Sequence, residues 1–120
     1  MTPAEFRRLA LSLPDTEEHE HMHHPDFRRN GKIFATLAYP DESFAMVKLF
    51  PDQQEAFVAG SPKTFAPVQG GWGRQGCTNV LLKTADKDKV CAALAAAWER
   101  AAPAPRKSKQ TKRRSAPRAK

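Results

Sequence analysis

The strongest constraint on what this chain can fold into is a terminal segment without large apolar side chains. Residues 106–120 contain eight Lys and Arg, no Asp or Glu, and no Leu, Ile, Val, Phe, Tyr or Trp. Such a segment has no surface to bury that would offset the entropy cost of ordering it. We therefore predict a disordered basic tail over 104–120 and a folded domain over 1–103, which has room for one hydrophobic core.

The charge of the chain is divided unevenly between these two parts. The formal net charge is +7, but residues 1–105 hold twelve Lys and Arg against thirteen Asp and Glu. The body is therefore nearly neutral, and the total charge does not by itself indicate a nucleic-acid-binding fold. The tail attracts polyphosphates such as DNA electrostatically, but without aromatic residues it has no means of reading bases.

The sequence gives no reason to expect insertion into a membrane or export. No run of 18 or more apolar residues occurs, and no cationic segment followed by an apolar stretch begins the chain. Cys77 and Cys91 form neither a CxxC pair nor a disulfide framework. We expect a cytoplasmic protein without a membrane partner.

Three helices are predicted from capping residues and apolar spacing. The first begins with a capping box formed by Thr2 and Glu5, the second begins at Asp52, and the third begins at Thr84 or Asp86. The third helix has an apolar stripe that we expect to be buried: Val90, Leu94, Ala97, Trp98 and Ala101.

The remaining apolar segments predict strands. Residues 15–25 are polar and are expected to form a loop, and the Pro- and Gly-rich residues 61–76 a second, long loop. Asn30-Gly31 is typical of a two-residue hairpin turn. The fold class expected is α+β, a two-layer sandwich with helices on one face of a mostly antiparallel sheet. Strands are predicted near Phe27 and over 32–38, 44–50 and 78–83.

Several segments, in this order, resemble the signature of the MmcQ/YjbR family. The resemblance covers about residues 3–103 and leaves the tail outside. It implies a fold similar to that of the bacterial frataxin homologue, a two-layer sandwich described as a double wing, and it implies DNA binding. The segments are His24–Arg28, Gly31–Leu37, the helix after Phe50-Pro51, Ser61–Phe65, Gly71-Trp72-Gly73 and Ala95–Trp98.

DNA is accordingly the expected partner, bound largely through phosphates. Trp72 lies beside Arg74 in a Gly-rich loop, where it either stacks on a base or anchors the loop to the sheet. We interpret Phe34, Phe44, Phe50, Phe57 and Phe65 as core residues from their strand and helix spacing. The candidate phosphate contacts are Arg28, Arg29, Lys32, Lys48, Lys63, Arg74 and Lys83 in the body, and Arg106, Lys107, Lys109, Lys112, Arg113, Arg114, Arg118 and Lys120 in the tail.

The alternative functions are a small-ligand or protein-interaction module with a pocket near Trp72, and a His-rich metal-binding protein. His19, His21 and His23 alternate and would share one face of an extended segment, but no Cys or HExxH motif accompanies them. We interpret them as part of a solvated loop and expect no metal site. His24, by contrast, is expected to pack against or cap the next strand.

Cofactor binding and catalysis have little support in the sequence. The glycines between residues 70 and 76 match no phosphate-binding loop motif, and neither cysteine has a recognisable activating neighbour. We expect no cofactor and no enzymatic activity. The sequence leaves the oligomeric state open.

Overall fold

A computed structural model describes residues 1–21, 24–38 and 41–103, with only the backbone of His21. The predicted disordered tail lies outside the described residues. In chain order the elements are α1 (Pro3–Leu11), β1 (Thr16–His21), β2 (His24–Arg29), β3 (Lys32–Leu37), β4 (Phe44–Lys48), α2 (Pro51–Gly60), β5 (Phe65–Pro67), α3 (Gly71–Arg74), β6 (Cys77–Leu81), a 3₁₀ turn (Leu82–Thr84) and α4 (Lys87–Arg100).

The six strands form one sheet in the order β1-β2-β3-β4-β6-β5, and every neighbouring pair is antiparallel. The turn between β2 and β3 is the predicted one, with Asn30 at φ 54° and Gly31 at φ 80°. Both residues need a positive φ in a type I′ turn, which Asn and Gly adopt most easily. The turn therefore fixes where β3 begins.

One face of the sheet carries the core. The register places Ala35 opposite Val47 and Ala45 opposite Val80, and all four side chains are fully buried. Helices α1 and α4 pack against β3, and α4 also packs against β4. Helix α2 reaches the same face, because the ring of Phe57 lies 5.3 Å from that of Phe65. The predicted α+β class is confirmed.

Two predicted loops are wrong. The polar stretch 15–25 is not a loop, since it contains β1 and the start of β2. Strand β1 is an edge strand held by backbone pairing to β2, and its described side chains are mostly exposed, so it shows no apolar alternation. The predicted loop 61–76 contains β5 and α3, which are too short for a periodic pattern of apolar residues to appear in the sequence.

The start of α2 also differs from the prediction. The helix begins at Pro51, and Gln53 Oε1 accepts a hydrogen bond of 3.0 Å from the N–H of Phe50, so Asp52 is not the cap. Phe50 thereby stands outside the sheet and is 48% exposed, which makes its assignment to the core wrong. The capping box of α1 and the Asp86 cap of α4 are confirmed.

Within the described residues, no helix combines the length and the apolar character that crossing a bilayer requires.

Candidate nucleic-acid interface

Three basic residues meet at one end of the sheet and line an open groove of about 360 Å³. Each comes from the end of a different element, namely the first residue of β3, the last residue of β4 and the last residue of α4. We call this site the cationic groove. It is lined by Lys32, Ile33, Phe34, Lys48, Ala97, Arg100 and Ala101.

Local folding explains why these element ends converge. Lys32 directly follows the Asn30-Gly31 turn, which sets its place at the sheet end. The end of α4 is held by Trp98, whose Nε1 donates a hydrogen bond of 2.8 Å to the carbonyl oxygen of Pro14. Arg100 follows two residues later and reaches the groove. The groove is thus built on regular elements rather than on a long loop.

No carboxylate of the described residues pairs with the charges of the groove. Within the described part of the chain, none of Lys32, Lys48 and Arg100 has a carboxylate oxygen within 4 Å. Burial raises the pKa of the nearby Cys77 thiol, while the positive charges of Lys48 and Arg100 act in the opposite direction. Both charges therefore act on the same thiol at the start of β6.

Two exposed aromatic rings each lie next to one of the cations that line the groove. The Nζ of Lys48 is 5.7 Å from the ring centre of Trp72, and the Cζ of Arg100 is 5.0 Å from that of Phe50. Trp72 is 63% exposed. It therefore does not bury its ring as a loop anchor would, and the stacking alternative fits its exposure better.

Two of the predicted phosphate contacts are already paired within the fold. Arg28 donates two hydrogen bonds to the buried carboxylate of Asp26, at 2.8 and 3.2 Å, and this raises the pKa of Arg28. Arg29 lies 3.5 Å from the ring centre of Trp98 and donates a hydrogen bond of 2.9 Å to its carbonyl oxygen. These contacts give both arginines a structural role.

The other predicted contacts do not all gather at the groove. Lys63 lies at the opposite end of the sheet, in a second groove of about 390 Å³ whose lining includes the acidic Asp86. Lys83 is exposed in the 3₁₀ turn at that same end, whereas Arg74 is exposed at the end of α3. The eight tail cations lie outside the described residues.

The histidines show no metal-binding arrangement among the residues that are described. His19 Nε2 lies 3.1 Å from an oxygen of Glu17, and no three His, Cys, Asp or Glu side chains come together in this part of the chain. His23 and the side chain of His21 lie outside the described residues. His24 occupies the first position of β2 and is half-buried.

Sequence reasoning missed Arg100, which lines the groove, and the exposed ring of Phe50 beside it. Arg100 could have been found from its place on α4, because it lies beyond the Val90–Leu94–Trp98 stripe and ends the helix. Phe50 gave no such signal, since its exposure depends on where β4 ends and α2 begins.

Fold and groove together define a small α+β sandwich domain with a cationic groove at one end of its sheet. The model of the YjbR family matches residues 11–100. The chain therefore belongs to the YjbR family, which confirms the resemblance seen in the sequence. A search of curated proteins finds no match to the chain.

A solved structure supports the fold independently. The chain is similar to the Deinococcus radiodurans protein DR2400, whose family-model domain is DUF419, with a TM-score of 0.66 and 16% sequence identity. The similarity covers 81% of this chain and 75% of DR2400. At this identity the comparison shows a shared fold.

Proposed function

We propose that this protein binds DNA, through backbone phosphates, as a binding protein and not as an enzyme. The observation that carries the proposal is the cationic groove, where Lys32, Lys48 and Arg100 converge without a described carboxylate within 4 Å. Phosphate contacts from Lys and Arg supply most of the affinity of non-specific DNA binding. A groove with three cations on fixed elements, none of them in an ion pair with a described carboxylate, suits such contacts.

The basic tail supports the same proposal because it leaves the domain beside the groove. Ala101 lines the groove, and Arg106, the first cation of the tail, follows five residues later. Five residues span at most about 18 Å, and a flexible segment of fifteen residues has a mean extent of roughly 20–25 Å. Tail and groove can therefore contact the same DNA molecule.

This arrangement predicts weak sequence preference. Phosphate contacts fix the position of a protein on DNA but carry no direct base information. The eight tail cations and the three groove cations are contacts of that kind. We expect similar affinities for unrelated sequences at equal salt.

Two matched double variants test the groove as the binding site. Lys32→Ala with Lys48→Ala removes two groove charges, and Lys63→Ala with Lys83→Ala removes two charges at the opposite end of the sheet. Since each phosphate contact contributes through counterion release, we expect the groove variant to bind a 20-base-pair duplex roughly 10- to 60-fold more weakly at about 0.1 M salt. The control should lose little. Equal losses in both variants would contradict the groove as the site.

A small aromatic anion is the second candidate ligand. It is favoured by the size of the groove, about 360 Å³, and by the exposed rings of Trp72 and Phe50 beside Lys48 and Arg100. Pockets of this volume hold small ligands. Calorimetric titration with a nucleoside monophosphate tests it. Binding to the nucleotide at micromolar concentration, with no binding to DNA, would favour this candidate.

A further inference from the structure

Trp72 and Phe50 are the large apolar residues that remain exposed in the described part of the chain, with 63% and 48% of their surface accessible. A single exposed apolar residue is ordinary on a protein surface. Here, however, each of the two exposed rings lies next to a cation that lines the groove. Lys48 and Arg100, which line the groove, are the cations beside them. The exposed aromatic surface therefore lies next to the positive charges of the groove.

The positions of both rings are fixed by the backbone around them. Phe50 comes two residues after Lys48 and begins α2 as its N-cap. Gly76 lies just after α3, has a φ of +108° and packs closely against Leu49 and Phe50. A Cβ atom on Gly76 would lie 1.8 Å from the carbonyl oxygen of Leu49. The segment that carries Trp72 is thus packed directly against the segment that carries Phe50.

A ring beside a cation matches the repeating chemistry of a single nucleic-acid strand. Each nucleotide offers one phosphate for a cation and one base face for an aromatic ring, and stacking tolerates every base. In a duplex the base faces are covered by their neighbours, so a ring at the protein surface cannot stack on them. The groove has two such pairs, Lys48 with Trp72 and Arg100 with Phe50.

We propose that Trp72 and Phe50 stack on unpaired bases of single-stranded DNA whose phosphates are held by Lys48 and Arg100. The proposal rests on the DNA binding proposed above and specifies its substrate as the single strand. The cationic lining, with no acidic residue among its seven members, complements the charge of the strand. The volume of the groove, about 360 Å³, lies within the size range of natural ligand sites.

The test compares Trp72→Leu and Trp72→Phe in the full chain, with a fluorescently labelled 12-nucleotide oligo(dT) and a duplex of the same length. Leu keeps an apolar side chain but has no ring face, whereas Phe keeps the ring. We expect Trp72→Leu to bind oligo(dT) roughly 5- to 160-fold more weakly, the range for losing one stacked base. Trp72→Phe should retain most of the affinity, and both variants should bind duplex like the wild type.

Two further readouts separate stacking from a loss of folding or of charge. The dependence of oligo(dT) affinity on salt should stay unchanged in Trp72→Leu, because no phosphate contact is removed. Quenching of tryptophan fluorescence by oligo(dT) should disappear in the same variant, although Trp98 remains. Thermal unfolding should be unaltered, since the side chain of Trp72 is mostly exposed.

The outcomes distinguish this proposal from the broader one. If the wild type binds duplex and single strand alike, and Trp72→Leu binds oligo(dT) as tightly as the wild type does, the stacking proposal is wrong while DNA binding stands. If the wild type binds neither form of DNA at moderate salt, both proposals are wrong. Both proposals are supported if Trp72→Leu weakens binding of oligo(dT) but not of duplex, while Trp72→Phe retains the affinity for oligo(dT).

Discussion

Arg29 and Lys32 flank the same two-residue turn, yet their side chains have different neighbours. Arg29 is held against Trp98 and its carbonyl oxygen, whereas Lys32 lines the cationic groove. The sequence identifies both as cations but not which one is paired, because pairing depends on partners distant along the chain. This is why Lys32 and Lys48 were predicted as site residues together with several cations that lie elsewhere.

Gly76 lies tightly against the backbone of Leu49 and Phe50. With φ at +108° and the carbonyl oxygen of Leu49 at 1.8 Å from an added Cβ, Gly76→Ala combines backbone strain with overpacking. We expect it to lower the free energy of unfolding by about 3 kcal/mol or more. Urea denaturation measures this loss.

The matched control is Gly60→Ala, which adds the same methyl group. It lies at the end of α2 with no atom within 4 Å of the added Cβ. Because Ala favours helix and restricts the unfolded chain, Gly60→Ala should raise stability by about 0.5–1 kcal/mol. Equal stabilities of the two variants would show that Gly76 is not under this constraint.

Cys77 makes stability depend on alkaline pH. Burial raises the pKa of its thiol, and Lys48 and Arg100 offset this only in part. The folded state therefore retains a proton that the unfolded state releases above about pH 8.5, so this stability is present below that pH and is lost as pH rises above it. In urea denaturation at pH 7.5 and 9.5, Cys77→Ala should lose less stability with pH than the wild type. An identical loss in both proteins would refute this role of Cys77.

At the scale of elements, the sequence predicts the helices and turns that carry capping residues, apolar periodicity or turn-forming residues. Helix α1 was predicted from its capping box, α4 from its apolar stripe, and the β2–β3 turn from Asn30-Gly31, and all three are present. Strand β1 could not be predicted in this way, because an edge strand is defined by its backbone pairing rather than by buried side chains. The groove depends on where three elements end, and ends are set by packing between distant segments.

Helix α4 depends on Trp98 for its position relative to the rest of the fold. The indole contacts Arg29, donates a hydrogen bond to Pro14 and packs partly buried against the core. We expect Trp98→Ala to lower the free energy of unfolding by about 3 kcal/mol, near the lower end for a large aromatic because the ring is not fully buried. Trp98→Phe keeps a ring but loses the hydrogen bond, which should cost about 1 kcal/mol. A loss below about 1 kcal/mol for Trp98→Ala would contradict this role.

At the scale of the whole molecule, a nearly neutral body still carries a local basic site. The body has thirteen acidic residues. Three of them, Glu17, Glu18 and Glu20, lie on β1, the edge strand next to β2. No acidic residue is among those that line the groove. The formal charge of residues 1–105 therefore conceals the separation of charge that folding creates. The sequence alone could predict the basic tail. It could not predict the groove, whose lining residues Arg100 and Ala101 come shortly before the tail.

The most direct measurement of the central claim is a salt titration of duplex DNA binding by the full chain and by a chain ending at Pro103. We expect log affinity to fall with log salt at a slope of about −5 for the full chain, from about six phosphate contacts, and of about −2.7 for the shortened chain, from three groove cations. The shortened chain should also bind more weakly to every sequence. Equal affinity and equal slope in the two proteins would contradict a role for the tail, and absence of binding in both would contradict the binding of duplex DNA.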